Sequence, residues 1–230
     1  MSIDGVPVVI EAFPKTVRLV TTARLRAAVL TPLVDNEDDL AVLAEIEGAT
    51  SSRLMAQDRG VAGLAANELV YDVPHAHFIN ASFAYAKPQQ RNRFTGADRG
   101  AWYAALDVAT CISEVGHHLT NMLADAGDYH ATVEYAEMFC SLAGAFLDLR
   151  QIPDHPSLDP NTAKAYPVGN VMAASARTAG LNGIIYPSVR HPGGTCIVAL
   201  RPAAIQSVHQ GAVYRMIWEG DPAPMIEGPL

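Results

Sequence analysis

The alternation of hydrophobic and polar positions predicts several elements in the first third of the chain. Residues Thr16 to Thr21 alternate as a half-buried strand does, and this strand would carry Arg18. From Asn36 to Gly48, acidic residues lead into apolar residues at helical spacing, which predicts a helix. Aromatic and branched residues between His77 and Ala86 favour a strand. Residues 1–14 show no such pattern and are predicted to form an N-terminal arm.

A strand followed by a capped helix is predicted in the middle of the chain. Residues Ala101 to Leu106 form an apolar run, and Asp107 is suited to cap a helix that follows it. The apolar face of that helix would consist of Val108, Cys111, Ile112, Val115, Leu119 and Met122. Because Glu114 lies at the edge of this face, we expect its side chain to point sideways into a cleft.

The second half of the chain alternates between predicted helix and strand. The segment from Tyr129 to Leu149 fits either type, and a proline-rich loop is expected over residues 153–160. A helix is predicted from Val168 to Ala179, followed by strands Ile184–Tyr186 and Thr195–Leu200. The pattern predicts an α+β fold with a mixed or antiparallel sheet core flanked by helices.

Length and composition favour one folded domain, residues 15–230, after the N-terminal arm. Half of the 230 residues are hydrophobic and 17% are charged, as in compact proteins. The sequence has no run of about 18 apolar residues that could span a membrane. Its three cysteines form no CxxC pair, which suits a reducing compartment. We therefore expect a cytoplasmic location.

The distribution of charge predicts a small anionic ligand. A net charge of -8 disfavours nucleic-acid binding. However, the segment from Lys87 to Gly96 has three cations and no acid, and no Asp or Glu occurs between Asn161 and Trp218. Arginine guanidinium groups match phosphate oxygens in pairs, so these segments are candidates for a phosphate-binding pocket.

Four residues are candidates for one pocket. Arg93, Tyr103 and Glu114 fall on a predicted loop, strand and helix in succession, and Ser188 ends a later strand. Two other interpretations of these residues, a metal site and a hydrolase, have less support in the sequence. Glu114, His117 and His118 lack further ligands at a recognisable spacing for a metal, so no metal is expected. Ser188 lacks the GxSxG surroundings of a hydrolase nucleophile.

Two sequence motifs resemble those of the RES-domain family. Residues Arg93 to Glu114 follow the pattern Arg-Phe-x4-Arg-Gly-x-Trp-Tyr-Ala-Ala-x-Asp-x2-Thr-x3-Glu, which resembles the first motif. Residues Asn182 to Gly194, Asn-Gly-Ile-Ile-Tyr-Pro-Ser-Val-Arg-His-Pro-Gly-Gly, resemble the second. The family is named after an arginine, a glutamate and a serine, which the resemblance places at Arg93, Glu114 and Ser188.

The resemblance extends from about Arg18 to Trp218, with only loose similarity between the motifs. An arginine in an early strand of the family is matched by Arg18, with Arg53 as the alternative. The chain departs from the family at Asn92, because a glycine or serine often precedes the motif arginine there. This departure puts the conformation of the turn around Arg93 in question.

The resemblance implies a fold related to the ADP-ribosyltransferases and cleavage of the nicotinamide–ribose bond of NAD. NAD would be the substrate, and no other cofactor is expected, although inorganic phosphate is a possible co-substrate. The protein would be the toxin of a toxin–antitoxin pair, with an Xre-type antitoxin as its partner. Transfer of ADP-ribose to a macromolecule and binding of NAD without turnover are the alternatives.

The same resemblance suggests a role for each candidate residue. The Glu114 carboxylate would stabilise the positive charge that develops on the ribose carbon as nicotinamide leaves. Arg18 and Arg93 would bind the pyrophosphate, and Tyr103 would stack on or orient the nicotinamide ribose. Ser188 would hydrogen-bond the nicotinamide end or the ribose. Arg190 and His191 are further predicted contacts of NAD, and they could bind a phosphate.

Overall fold

The computed structural model describes residues 2–25, 64–84, 92–96 and 99–230. Three sequence predictions lie outside these residues: the helix at 36–48, the alternative pocket residue Arg53, and the loop residues 87–91.

The described residues form an α+β fold with a mixed sheet. Its strands are β1 (Ser2–Ile3), β2 (Val6–Thr21), β3 (Trp102–Ala105), β4 (His130–Asp148), β5 (Gly183–Pro187), β6 (Thr195–Ala199), β7 (Ile205–Glu219) and β8 (Met225–Glu227). Its helices are α1 (Ala76–Ala84), α2 (Val108–Ala126) and α3 (Thr162–Thr178). The predicted fold class is confirmed, whereas the likeness to the ADP-ribosyltransferase fold stays a prediction.

The long strand β4 organises the sheet because it pairs along both of its edges. One edge pairs antiparallel with β2, from Val8 opposite Leu147 to Thr21 opposite Tyr135. The other edge pairs antiparallel with β7 and, at its end, parallel with β5. β6 joins β5 to β3. The pairing of Val17 in β2 with Ala105 in β3 then closes a ring of five strands.

An N-terminal arm was predicted for residues 1–14, but the described residues of this segment, 2–14, belong to strands β1 and β2 and the turn between them. Strand β2 begins at Val6, and Val8 to Phe13 pair with β4. At Pro14, the pairing of β2 with β4 shifts in register between Phe13 and Thr16. A bulge leaves ladder groups unpaired, so a proline is tolerated there without ending the strand.

Two helices differ from the sequence prediction. The strand predicted from His77 to Ala86 is wrong, because Ile79, Asn80 and Phe83 are the buried residues of helix α1. Helix α3 begins at Thr162, six residues before the predicted start, although Pro167 lies inside it. The buried residues of α1 are spaced at i, i+1 and i+4, which is typical of a helix face.

The elements that carry the two motifs were predicted correctly. β3, β5 and β6 lie where expected, and Asp107 caps α2 by accepting a hydrogen bond from the Thr110 N–H at 2.7 Å. Met122 was expected on the apolar face of α2 but is 57% exposed. The cap fixes the start of α2 directly after β3, which sets the position of Glu114 relative to the sheet.

Candidate functional site

A cavity of about 240 Å³ lies between the sheet, α2 and α3. We call it the central cavity. It is lined by Arg18, Leu19, Asn92, Arg93, Tyr103, Ala104, Ala105, Cys111, Glu114, Val115, His118, Tyr166, Tyr186, Arg190 and Cys196. Residues far apart in the sequence meet here because β2, β3 and β6 are neighbours in the closed ring of strands.

Glu114 supplies the carboxylate of the central cavity, and Ser188 holds it in place. The Ser188 hydroxyl donates a hydrogen bond of 2.6 Å to Glu114 Oε1. The same hydroxyl oxygen accepts the backbone N–H groups of His191 at 2.9 Å and Arg190 at 3.2 Å. Because these two donors fix the serine oxygen, its single proton is directed at the carboxylate.

Arg93 is buried in a turn at the wall of the cavity, with only 9% of the residue exposed. Its Nη1 donates hydrogen bonds to the backbone carbonyls of Ser157 and, at 3.3 Å, Asp159. Its guanidinium lies 5.9 Å from the centre of the Tyr166 ring. One end of the guanidinium is thus held by the loop before α3, which orients the charge towards the cavity.

The turn that carries Arg93 is anchored by Tyr103. The Tyr103 hydroxyl accepts the Phe94 N–H at 3.0 Å and lies 3.2 Å from Thr95 Oγ1. Burial raises the pKa of Tyr103 to about 12, against the opposite effect of its hydrogen bonds with Thr95 and Phe94. The phenol is therefore neutral at physiological pH, and its oxygen is engaged by the turn.

Helix α3 supports the same turn from the other side. The Asn170 side-chain amide donates to the Asn92 carbonyl at 2.9 Å. A Cβ added at Gly169 would lie 2.0 Å from the Arg93 carbonyl oxygen, so only glycine permits this close packing. The turn that carries Arg93 is thus held by β3, through Tyr103, and by α3.

Two further arginines make the cavity positive. The Arg18 guanidinium lies over the Trp102 ring, 4.7 Å from its centre. Arg190 Nη2 donates to the Pro160 carbonyl at 3.0 Å. The lining residues include three arginines, Arg18, Arg93 and Arg190, and one acidic residue, Glu114. In a chain of net charge -8, this local excess of positive charge favours an anionic ligand.

The structure brings most of the predicted site residues together. Five of them line the central cavity: Arg18, Arg93, Tyr103, Glu114 and Arg190. Ser188 reaches the site through its hydrogen bond with Glu114. His191 is not among the lining residues, and its Nδ1 lies 3.2 Å from Ser113 Oγ. The functional roles of these residues stay predictions.

Sequence reasoning missed several residues of the cavity wall. His118 lies four residues after Glu114, and this helical spacing was weighed only as a sign of a metal site, so His118 was not predicted to contact NAD. Tyr166 gave no usable signal, because it precedes Pro167 at the end of a loop whose path the sequence did not reveal. Cys196 lies 3.9 Å from Glu114 Oε1, and burial raises the pKa of its thiol well above the usual value.

The described part of the chain contains neither a metal-binding cluster nor a helix suited to span a membrane. Within it, no three His, Cys, Asp or Glu side chains are grouped as metal ligands would be. No α-helix in these ranges combines the length and apolar character needed to cross a bilayer. All three cysteines are buried free thiols.

Comparison with known proteins gives two matches. The sequence pattern that defines the RES domain matches residues 69–219, from just before α1 to the end of β7. Strand β2 with Arg18 lies before this range. An uncharacterized protein, y4oC of Sinorhizobium fredii (strain NBRC 101917 / NGR234), is 26% identical over 186 residues. That alignment covers 80% of this chain and 75% of y4oC.

Proposed function

This chain belongs to the RES-domain family, and we propose that it is an enzyme that cleaves the nicotinamide–ribose bond of NAD. The family occurs in toxin–antitoxin systems, which supports an NAD-related toxin role at a coarse level. Hydrolysis or phosphorolysis of NAD is the specific activity that we propose. The chemistry of the central cavity supports this activity.

One observation carries the proposal: the Glu114 carboxylate shares a cavity with three arginines. When the C1′–N bond breaks, the electron pair stays with the nicotinamide ring, which leaves neutral. The ribose carbon then gains oxocarbenium character, and a fixed carboxylate next to it stabilises the developing positive charge. Arg18, Arg93 and Arg190 suit the negatively charged pyrophosphate of the same molecule.

The hydrogen bonds of the site support a positioning role for two of the predicted residues. Since the Ser188 proton is directed at Glu114, we propose that Ser188 positions the carboxylate and does not bind nicotinamide directly. Since the Tyr103 hydroxyl is occupied by the turn around Arg93, we propose that Tyr103 positions Arg93 and offers only its ring to the ligand.

The test is the release of nicotinamide from NAD by the purified protein and by Glu114→Gln. The substitution keeps the shape of the side chain and removes its charge. We expect the wild-type protein to release nicotinamide, and the variant to be slower in kcat by about 10²- to 10³-fold, the range found for lost electrostatic stabilisation of a transition state.

Asp125→Asn is the matched control, because it removes one negative charge from the exposed end of the same helix. It should retain the wild-type rate, and circular dichroism should show that both variants are folded. Equal rates for wild type and Glu114→Gln would rule out the role of Glu114. If the wild-type protein binds NAD without releasing nicotinamide, the site is a binding module.

The acceptor of the ADP-ribosyl group can be identified from the products. Water would give ADP-ribose, and inorganic phosphate would give a phosphorylated ADP-ribose. Arg190 lies at the cavity wall, where its charge would suit a phosphate. An unchanged rate and product on adding phosphate would exclude phosphorolysis, while label from NAD on macromolecules would indicate ADP-ribosyl transfer.

We further propose that the protein acts in the cytoplasm and is restrained by an Xre-type antitoxin. Three free buried thiols are compatible with a reducing compartment. Family membership supports an antitoxin partner in general terms. Co-expression with an Xre-type protein encoded next to this chain should relieve growth inhibition, and persistent inhibition would argue against that partner.

A further inference from the structure

His118 is a titratable group of the central cavity to which the mechanism above gives no role. It lies on α2, one helical turn after Glu114, and both side chains line the same cavity. Residues four apart on a helix have Cβ atoms about 5–6 Å apart on one face. A small molecule bound next to the carboxylate is therefore within reach of the imidazole.

We propose that His118 is the general base of the hydrolytic reaction, an inference that rests on the function proposed above. The oxygen of a water molecule forms a bond to the ribose carbon as the carbon–nitrogen bond to nicotinamide breaks. The water proton passes to the free nitrogen of the His118 imidazole. The electron pair of the broken bond stays on nicotinamide, and the imidazolium later loses its proton to solvent.

The surroundings of His118 suit a base that is neutral at physiological pH. Desolvation by the surrounding protein lowers the pKa of His118, and the charges of Arg190 and Arg93 lower it further, while Glu114 acts in the opposite direction. His117, the next residue, also faces it, with ring centres 5.8 Å apart. His118 is exposed to solvent, which gives the proton a route to bulk water.

His117 provides the matched control because it is the same residue type on the same helix. Its side chain does not line the cavity, and its Nε2 lies 3.0 Å from the Asn121 side-chain amide. His117→Gln and His118→Gln therefore make the same chemical change at adjacent positions. Only the second change removes a nitrogen that faces the proposed water.

The first measurement is the pH dependence of kcat for nicotinamide release. In the wild-type protein, kcat should fall at acidic pH as His118 becomes protonated. His118→Gln should lower kcat by about 10²-fold, a typical contribution of a general base, and should remove this acidic fall. His117→Gln should retain both the rate and the profile. An unchanged acidic fall in His118→Gln would overturn the proposal.

Azide provides the second measurement, because it is an anionic nucleophile that attacks carbon without losing a proton. Adding azide should restore nicotinamide release by His118→Gln at least tenfold and yield ADP-ribosyl azide, with little gain for wild type. This recovery also shows that the variant has an intact site. A slow variant that azide does not restore refutes the role of His118, whereas a wild-type protein without nicotinamide release refutes the proposed function itself.

Discussion

At the scale of single residues, Tyr103 illustrates how a motif residue can act through another. Its phenol oxygen accepts the Phe94 N–H and contacts Thr95, so it holds the turn on which Arg93 lies. A buried N–H that loses its partner costs about 1–3 kcal/mol. The aromatic ring without its hydroxyl cannot accept this hydrogen bond from the Phe94 N–H.

We predict that Tyr103→Phe raises the KM for NAD by about tenfold while kcat changes less than threefold. The turn would loosen and Arg93 would bind the pyrophosphate less well, at a cost of roughly 1.4 kcal/mol. Steady-state kinetics measures both constants. A KM equal to that of the wild-type protein would show that the turn does not depend on the hydroxyl.

The sequence identified the chemical groups of the site more readily than their partners. Arg93, Glu114 and Ser188 were found because two local motifs carry them. The hydrogen bond between Ser188 and Glu114 spans 74 positions of the chain, and no local pattern encodes such a contact. For the same reason, Tyr166 could not be assigned to the cavity before the position of α3 was known.

At the scale of elements, the start of α2 depends on Asp107. Its carboxylate accepts the Thr110 N–H at 2.7 Å and the Thr110 hydroxyl at 2.9 Å. Both bonds satisfy groups of Thr110 in the first helical turn, and Asp107 lies seven residues before Glu114. The cap therefore stabilises the helix that presents the carboxylate.

We expect Asp107→Ala to lower the free energy of unfolding by about 1 kcal/mol, as is usual for a lost N-cap. Asp107→Asn keeps an oxygen acceptor and should lose clearly less. Urea denaturation followed by circular dichroism provides both values. Two variants of equal stability, or an alanine variant as stable as the wild-type protein, would contradict the capping role.

The helices and strands that were predicted correctly are those with clear local sequence signals. Apolar runs bounded by turn residues mark β3, β5 and β6, and a capping residue marks the start of α2. β4 was ambiguous because a 19-residue alanine-containing apolar segment fits either helix or strand. Pairing with β2 and β7 makes this segment a strand. Because these partners are distant in the sequence, the local pattern could not predict the pairing.

At the scale of the whole molecule, Arg150 connects the two strands that build the sheet. Its Nη2 lies 2.8 Å from Glu11 of β2 and 2.7 Å from Asp148 at the end of β4. Burial raises the pKa of Asp148, but the hydrogen bonds and charge of Arg150 outweigh this effect and leave the pKa below its usual value.

Arg150→Gln should reduce the stability at pH 7 by about 0.5–1 kcal/mol, since the ion pairs are partly exposed. Because the folded protein has the lower Asp148 pKa, the stabilisation exists above pH 3.8 and is lost as the pH falls below that value. The two proteins should therefore converge at acidic pH. Unfolding curves at pH 7 and below pH 3.8 measure this convergence.

Lys164→Gln serves as the comparison, because it removes one positive charge from an exposed position on α3. It should leave the stability within about 0.5 kcal/mol of the wild-type value at each pH. A stability difference for Arg150→Gln that stays constant with pH would mean that the Asp148 carboxylate does not contribute through its ionisation.

The crystal structure of Glu114→Gln with bound NAD tests the whole arrangement most directly, because the slow variant should retain its substrate. We predict the nicotinamide-linked ribose carbon next to the side chain of residue 114 and the pyrophosphate among Arg18, Arg93 and Arg190. NAD bound outside the central cavity, or in it with the ribose turned away from residue 114, would contradict the proposed function.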